Sequence, residues 1–325
     1  MKSRYCTING NEVVTCMTLN LPKIVYIEVC KKCNLCCCHC FNNSNPNGVL
    51  PVFDFFKEIH QQLEKMYVKE VIISGGEPFI RTDILKILGL FSDDYNIKIL
   101  TNGTMLKETD IAYLIDKRIK IQITLNGATE SIDSRMRGSG YEATVASIKR
   151  VIELGGKELL YITTAISRYN YMELEDYTNF LVRLGVINIQ FSMVNKRGRA
   201  IKNWDKLSLS LPQKVTSLLS IEQMKKKYPN HNFVTSGLNR MNDYLVDEKK
   251  DDCEYFTEEV CFTADGRLSI CPYISIFCEC KGIEPFYSNG VEISQTELNR
   301  VNYRECKYCE AYSSCLIGCL KNEKT

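Results

Sequence analysis

Glu28–Phe41 reads Glu-Val-Cys-Lys-Lys-Cys-Asn-Leu-Cys-Cys-Cys-His-Cys-Phe, and within it Cys33, Cys37 and Cys40 have the spacing C-x3-C-x2-C. Three thiolates on one short loop can bind three irons of a [4Fe–4S] cluster and leave the fourth iron without a protein ligand. An iron with an open position is a place for chemistry. The loop therefore predicts a cluster with a catalytic role.

A zinc knuckle is the alternative for the same loop. Structural zinc takes four ligands. His39, Cys30, Cys36 or Cys38 would supply the fourth one here. The loop taken alone leaves both alternatives open.

Composition and charge argue against several classes of partner. The 41 basic and 39 acidic residues give a net charge of +2, so nothing indicates nucleic acid or an anionic membrane. Met1–Tyr5 lack an apolar secretory signal, and no membrane-spanning run of apolar residues follows. None of the 17 cysteines lies between Cys40 and Cys253, which favours two metal-binding regions in a reducing compartment. We therefore expect a soluble, cytoplasmic protein.

Short β-rich runs alternate with helical patterns between Lys23 and about Ala200. The predicted strands are Ile24–Val29, Glu70–Ile73, Ile97–Leu100, Ile119–Leu125, Leu159–Ile166 and Ile187–Met193. The predicted helices lie near 52–66, 82–92, 107–117, 141–154 and 171–184. This alternation indicates right-handed βαβ units and a parallel sheet. A closed barrel would need two more units, so we expect an α/β fold, a partial (β/α)6 TIM-like barrel with its site at the carboxyl ends of the strands.

The chain divides into four predicted regions. Residues 1–22 contain Asn9-Gly10 between apolar positions, which predicts a β-hairpin with a type I′ turn. The barrel core is expected over 23–205, and weak periodicity with scattered prolines predicts a helical bridge over 206–252. Nine cysteines in 253–325 predict a small cysteine-rich C-terminal iron–sulfur domain.

The segment Cys33-Asn34-Leu35-x-Cys37-x-His39-Cys40-Phe41 closely resembles the cluster loop of radical SAM enzymes. The resemblance implies that the amino and carboxylate groups of S-adenosylmethionine chelate the unique iron of a catalytic [4Fe–4S] cluster. One electron from the cluster would then cleave the sulfonium, and the resulting 5′-deoxyadenosyl radical would abstract a hydrogen atom from the substrate.

Ser74-Gly75-Gly76-Glu77-Pro78 follows the second predicted strand. Its two glycines let the backbone approach a ligand without a Cβ in the way. By resemblance this is the Gly-Gly-Glu-Pro motif of radical SAM enzymes, in which polar groups receive the methionine amine. We therefore predict that Gly75, Gly76, Glu77 and Pro78 bind the cofactor, with Glu77 facing the ammonium.

Polar residues also follow the third and fourth predicted strands. Asn102 stands after the third, and Thr124 near the end of the fourth is expected to hydrogen-bond the ribose or the carboxylate. The fourth strand continues into a stretch similar to one in radical SAM enzymes with SPASM modules, with Asn126 in place of their aspartate. Arg137, or less favourably Arg135, would pair with the carboxylate, and surface salt bridging is the alternative.

The basic segment Lys196-Arg197-Gly198-Arg199 closes the sixth predicted strand. Its side chains would lie beside the cofactor and steer a substrate carboxylate. The alternative is that they are solvated.

The C-terminal cysteines resemble a SPASM module, which holds two auxiliary [4Fe–4S] clusters. By that resemblance the first cluster would be bound by Cys253, Cys261, Cys271 and Cys319. Three irons of the second would be bound by Cys306, Cys309 and Cys315. Zinc is the alternative metal for this region.

The pattern departs from such modules in two ways. No distal cysteine follows Cys319, so Cys278 or Cys280 would complete the second auxiliary cluster, donate a hydrogen atom or simply pack, or the iron would stay open. Pro272 also stands where sulfatase-maturing relatives have an aspartate base, which disfavours that activity.

The sequence as a whole predicts a radical SAM oxidoreductase that modifies a peptide or protein by a thioether or carbon–carbon crosslink, epimerisation or oxidation. An external electron donor such as flavodoxin or ferredoxin is expected. The 22 residues before the first core strand are too few for a winged peptide-binding domain, so a leader-peptide-binding protein would be separate, or the substrate would be recognised directly. The alternatives are a radical dehydrogenase of sugar alcohols and a non-enzymatic iron–sulfur or zinc protein.

Overall fold

The computed structural model describes residues 6–8, 11–13, 23–64, 68–236, 259–266 and 268–269. The strands are β1 Cys6–Ile8, β2 Asn11–Val13, β3 Ile24–Glu28, β4 Glu70–Ser74, β5 Asn96–Thr101, β6 Lys120–Thr124, β7 Leu160–Ile166, β8 Asn188–Met193, β9 Asn232–Ser236, β10 Glu259–Phe262 and β11 Leu268–Ser269. The α-helices are α1 Phe53–Leu63, α2 Ile84–Ser92, α3 Glu108–Asp116, α4 Glu130–Arg137, α5 Tyr141–Glu153, α6 Leu174–Leu184, α7 Arg199–Lys202, α8 Trp204–Leu207 and α9 Leu211–Lys227.

One large sheet dominates the described part of the chain. Its strand order is β11-β10-β3-β4-β5-β6-β7-β8-β9, in which β11 pairs antiparallel with β10 and every other pairing is parallel. The six predicted strands are β3 to β8, and helices connect them in turn. The predicted α/β class with a parallel sheet of partial-barrel type is confirmed.

Three strands extend this sheet beyond the predicted six. Strand β9 pairs with β8, although its residues fall in the predicted helical bridge. Strand β10 pairs with β3, and β11 pairs with β10, although the residues of both fall in the predicted C-terminal domain. All three strands are short, and a few residues carry little periodicity, so the sequence pattern did not separate them from their surroundings.

The sheet has two unlike faces. The strand residues on the helix side are buried with the helices in one continuous apolar core: Val25, Ile27, Val71, Ile73, Ile97, Ile99, Ile121, Ile123, Leu160, Ile162, Ile166, Ile189, Phe191, Met193, Val260 and Phe262. Each such side chain contributes about 1.5–3 kcal/mol when fully buried. The opposite side, here called the inner face, includes the buried residues Glu28 and Ile72. It also carries residues that are half-buried and mostly polar: Tyr26, Lys98, Leu100, Gln122, Thr124, Tyr161, Thr163, Ala165, Gln190 and Ser192.

The first two strands form a separate antiparallel pair, in which Ile8 lies opposite Asn11. Asn9-Gly10 is the pair that separates them in sequence, in agreement with the predicted hairpin. Among the helices of the described ranges, none combines the length and the apolar character needed to cross a bilayer.

Candidate functional site

The cysteine loop, defined here as residues 29–52, follows β3 at the carboxyl edge of the sheet. It folds back on itself through backbone bonds from Lys31 N to Val49 O (2.8 Å) and from Cys33 N to Asn45 O (3.0 Å). A parallel sheet binds its ligands at this edge. The loop therefore lies where the sequence predicted the site.

The sulfurs of Cys33, Cys37 and Cys40 are close enough to influence one another's ionisation. The pKa of Cys37 is raised to about 12, mainly by burial, with smaller contributions in the same direction from the charges of Cys40 and Cys33. Burial likewise raises the pKa of Cys33, with smaller contributions from Glu77 and Cys40. The thiols of Cys33 and Cys37 therefore need a positive partner to become thiolates, and iron is such a partner.

The donor set therefore fits an iron–sulfur cluster. Within the described ranges no three His, Cys, Asp or Glu side chains have the close grouping that one metal ion requires. A cluster of four irons is larger than a single ion and takes more widely separated sulfurs. That Cys33, Cys37 and Cys40 are the ligands stays a prediction.

The other cysteines of the loop have different surroundings. The Cys30 thiol is buried and donates to Lys32 O (3.3 Å) and Glu77 O (3.4 Å), and burial raises its pKa to about 11. Cys38 donates to Arg135 O (3.6 Å), and Cys36 is exposed. Cys30 thus acts in packing between two loops.

His39 lies between the second and third cysteines of the motif. Its Nδ1 is shielded from solvent and has no hydrogen-bond partner among the described residues. Burial lowers the pKa of His39 to about 4, and Arg137 contributes in the same direction. The imidazole is therefore neutral at physiological pH.

The loop after β4 packs backbone to backbone on the cysteine loop. Gly76 N donates to Cys30 O (2.7 Å), and Glu77 N donates to Lys32 O (2.9 Å). A Cβ on Gly75 would lie 2.3 Å from Cys30 O, and one on Gly76 would lie 2.0 Å from Lys32 O. The backbone of the cysteine loop, and not a ligand, occupies the space next to these two glycines.

Glu77 is fully buried, and its carboxylate accepts hydrogen bonds inside the protein. Oε1 accepts from Thr101 Oγ1 (2.7 Å) and Phe79 N (3.1 Å), and Oε2 accepts from Asn102 N (2.7 Å). Burial raises the pKa of Glu77, while these bonds and Arg137 oppose the rise. The carboxylate thus links the ends of β4 and β5, a role that the expected contact with an ammonium did not include.

A polar triad connects the end of β5 to the cysteine loop. Asn102 Nδ2 donates to Asn34 Oδ1 (2.9 Å) and approaches Cys33 Sγ (3.9 Å). Asn102 Oδ1 accepts from Thr104 Oγ1 (2.6 Å), which in turn accepts from Asn34 Nδ2 (2.8 Å). The predicted residue Asn102 therefore touches the motif cysteine through its side chain, whereas Asn34 and Thr104 had no sequence signal of their own.

Arg137 is buried, so the surface salt bridge considered for it is wrong. Its guanidinium donates to Thr124 O (2.6 Å), Asn102 O (2.8 Å) and Thr144 Oγ1 (3.0 Å). It thereby ties the ends of β5 and β6 to α5. Arg135, the other candidate, is exposed.

The basic segment after β8 also lies against the cysteine loop. Arg199 donates to two loop carbonyls, and Gly198 is buried beneath the chain at Cys40 and Phe41. For this part of the segment the solvated alternative is wrong.

Most of the C-terminal candidates, namely Cys253, Cys271, Cys278, Cys280, Cys306, Cys309, Cys315 and Cys319, lie outside the described residues. Cys261 is described: it is buried in β10 opposite Tyr26 of β3. Its assignment to an auxiliary cluster stays a prediction.

Comparisons with known proteins agree with this site. Residues 27–181 match the profile of the Radical SAM superfamily, a range that runs from β3 into α6 and includes the cysteine loop. These residues therefore match a radical SAM domain.

Relatives of the chain carry names from peptide maturation. "Mycofactocin maturase MftC" of Mycobacterium ulcerans is 27% identical over 201 residues, which cover 61% of this chain and 54% of the relative. "Antilisterial bacteriocin subtilosin biosynthesis protein AlbA" of Bacillus subtilis is 26% identical over 185 residues, 55% of this chain and 41% of the relative. The chain thus spans about half of the length of these relatives or less.

Solved structures show the same fold. The crystal structure of Streptococcus suis SuiB bound to precursor peptide SuiA has a TM-score of 0.71 at 18% identity, and the match covers 93% of this chain and 71% of SuiB. At this identity the likeness supports the fold alone.

Proposed function

We propose that this chain reductively cleaves S-adenosylmethionine and uses the resulting radical to modify a peptide or protein. The observation that carries the proposal is the placement of Cys33, Cys37 and Cys40 at the carboxyl edge of a radical SAM domain. Their loop contacts Glu77 through Cys30 and Asn102 through Cys33. The names of MftC, AlbA and the SuiB–SuiA complex favour a peptide substrate.

In this proposal Cys33, Cys37 and Cys40 hold a [4Fe–4S] cluster, which when bound supplies the electron that cleaves S-adenosylmethionine to the 5′-deoxyadenosyl radical. The chain's own residues hold the strand ends at the carboxyl edge of the sheet in fixed positions. Glu77 and Arg137 fix the ends of β4, β5 and β6 through buried charge-assisted hydrogen bonds, which are stronger than neutral ones. Asn102 orients Cys33 through its amide.

The inner face is the proposed position of the substrate. Most of its side chains are half-buried and polar, unlike the packed branched residues that fill a closed barrel. Gln122, Thr163, Gln190 and Ser192 offer donors and acceptors of the kind that a peptide backbone needs. A polar inner face suits a peptide better than an apolar substrate.

The C-terminal cysteines are proposed to bind two auxiliary [4Fe–4S] clusters. Cys253, Cys261, Cys271 and Cys319 would hold the first, and Cys306, Cys309 and Cys315 with Cys278 or Cys280 the second. Such clusters require reduced thiols, which agrees with a cytoplasmic location and with an electron donor such as flavodoxin or ferredoxin. A separate leader-peptide-binding protein completes the proposed partners.

The test is anaerobic reconstitution followed by reduction in the presence of S-adenosylmethionine. We expect 5′-deoxyadenosine by liquid chromatography and about 12 irons per chain, as three four-iron clusters. Co-expression with small open reading frames neighbouring the gene should give a peptide whose mass changes. Absence of 5′-deoxyadenosine from protein with a full complement of iron would overturn the proposed reaction, and about eight irons with no peptide change would favour the dehydrogenase of sugar alcohols.

A further inference from the structure

Residues 198–203 contact the cysteine loop and donate hydrogen bonds to it, although they lie far from it in sequence. Gly198 has φ +53°, and a Cβ there would lie 2.3 Å from Phe41 O and 2.4 Å from Cys40 O. Arg199 N, at the start of α7, donates to Cys40 O (2.9 Å). Only a residue without a Cβ allows the two backbones to approach this closely.

Two side chains of this segment, those of Arg199 and Asn203, donate further hydrogen bonds to the loop. Arg199 donates through Nε to Cys37 O (2.8 Å) and through Nη1 to Ser44 O (2.7 Å). Asn203 Nδ2 donates to Cys38 O (3.1 Å) and Arg199 O (2.9 Å). Four carbonyls of the cysteine loop, those of Cys37, Cys38, Cys40 and Ser44, thus accept hydrogen bonds from this one segment, and Cys37 O also accepts from Cys40 N (3.2 Å). An irregular loop has no ladder of its own to satisfy them, so the segment supplies what secondary structure would supply elsewhere.

Arg199 also brings a positive charge to the motif. Its guanidinium donates to Cys37 O (2.8 Å), so the charge lies beside the backbone of a motif cysteine. A positive charge in this position favours an added electron on any group that the Cys37 sulfur ligates.

We propose that Arg199 is a positioning residue for the predicted cluster, holding the Cys37–Ser44 part of the loop in shape and raising the reduction potential of the cluster through its charge. Asn203 contributes to the shape and carries no charge. The inference rests on the proposed function, because the potential belongs to the cluster that Cys33, Cys37 and Cys40 are proposed to bind. The bonds that hold the loop are made by the chain's own residues and are tested without the cluster.

Three variants separate the two effects. Arg199→Gln removes the charge, Arg199→Lys keeps the charge but loses the fork that reaches two carbonyls, and Asn203→Ala removes only an amide donor. Arg150→Gln is the matched control, because Arg150 is an exposed arginine on α5 whose ion pairs are with Glu108 and Glu153. All four variants are compared with the wild-type full chain, which is iron-loaded for the first measurement below and iron-free for the second.

Two measurements are made on each protein. The first is a potentiometric titration of the electron paramagnetic resonance signal that changes when S-adenosylmethionine is added, which reports the cluster with the open iron. The second is hydrogen–deuterium exchange of peptides covering residues 37–44 in the iron-free chain. The second measurement needs no cluster and reads out the loop alone.

The expected pattern differs for each variant. Arg199→Gln moves the potential to more negative values and speeds exchange of the loop about tenfold or more. Arg199→Lys and Asn203→Ala speed exchange with little change in potential, and Arg150→Gln changes neither.

An unchanged potential in iron-loaded Arg199→Gln would overturn the role of the charge. Unchanged exchange in both Arg199→Lys and Asn203→Ala would overturn the role in shape. If Arg199→Gln binds no iron, retention of iron and potential by Arg199→Lys supports the charge, and a negative shift in Arg199→Lys contradicts it. A wild-type chain with no signal responsive to S-adenosylmethionine would instead overturn the proposed function, and the exchange experiment on the iron-free chain would still decide the role in shape.

Discussion

The core and the carboxyl edge belong to the same sheet but are stabilised by different forces. On the helix side, residues such as Ile99 and Phe191 contribute through apolar area, which is non-directional and tolerates exchange for a side chain of similar volume. At the edge, Glu77, Arg137 and Arg199 each join two or three groups from separate segments through directed bonds. Loss of one such side chain leaves several buried partners unsatisfied. The fold is therefore robust where it is apolar and specific where chemistry is proposed.

The largest expected effect is at the edge and concerns function alone. Changing Cys33, Cys37 and Cys40 together to Ala should abolish cleavage of S-adenosylmethionine and lower the iron content by about four per chain, while the proposed auxiliary clusters persist. The measurement is 5′-deoxyadenosine formation beside an iron assay. Cleavage that survives in the triple variant would show that the ligands lie elsewhere.

The next effect contrasts the two faces of one strand. Phe191 is fully buried against Tyr177 and Phe233, so Phe191→Ala should lower the free energy of unfolding by about 3–5 kcal/mol through the cavity it leaves. Gln190, its neighbour on the inner face, is half-buried, and Gln190→Ala should change stability by no more than about 0.5 kcal/mol. Denaturant unfolding measures both, and equal losses would mean that the inner face is as tightly packed as the core.

Glu77→Gln tests the directed bonds of the edge. An amide nitrogen would replace one carboxylate oxygen and face a donor, so we expect a loss of about 1–3 kcal/mol in the free energy of unfolding. Glu108→Gln, at an exposed glutamate of α3, is the control and should change little. If Glu77→Gln is as stable as wild type but binds S-adenosylmethionine more weakly, the result would instead favour a direct contact between Glu77 and the ammonium.

The Glu77 variant also has a pH signature. Burial raises the pKa of this carboxyl, so its contribution to stability is complete below the ordinary pKa and is lost as the pH rises through the raised value. The Gln side chain does not titrate. The difference in the free energy of unfolding between wild type and Glu77→Gln should therefore become smaller as the pH rises. A difference that becomes larger would contradict the raised pKa.

The smallest effect separates two cysteines of the loop. Cys30 is buried with a pKa raised to about 11, whereas Cys36 is exposed. Alkylation near about pH 8, followed by tandem mass spectrometry, should label Cys36 and leave Cys30 unlabelled until the chain is denatured, because the thiolate is the reactive form. Labelling of Cys30 in the folded protein would show that it does not pack as described.

Much of the fold was predictable because its signals are local. Alternation along β3 to β8 and the helical periodicity between them gave the element types and their order, and the parallel rule placed the cysteine loop at the correct edge. The strands β9 and β10 were missed because each is short. Their strand character depends on pairing with β8 and β3, which the local sequence does not show.

The position of the cysteine motif was predictable, and the residues that support it were less so. Spacing singled out Cys33, Cys37 and Cys40 as candidate ligands, which stays a prediction, but the roles of Glu77 and Arg199 depend on partners distant in sequence. A charged side chain that bonds to backbone groups far away in sequence has no periodic signature. Such residues become visible only when the strand ends are brought together.

The hydrogen bonds from Arg199 and Asn203 to the cysteine loop have a consequence for the synthesis of the protein. Their bonds to Cys37 and Cys38 join residues 162 and 165 positions apart. Contacts of this separation must wait for the intervening chain, which emerges from the ribosome residue by residue. During synthesis the cysteine loop therefore lacks these bonds until the segment that supplies them has been translated.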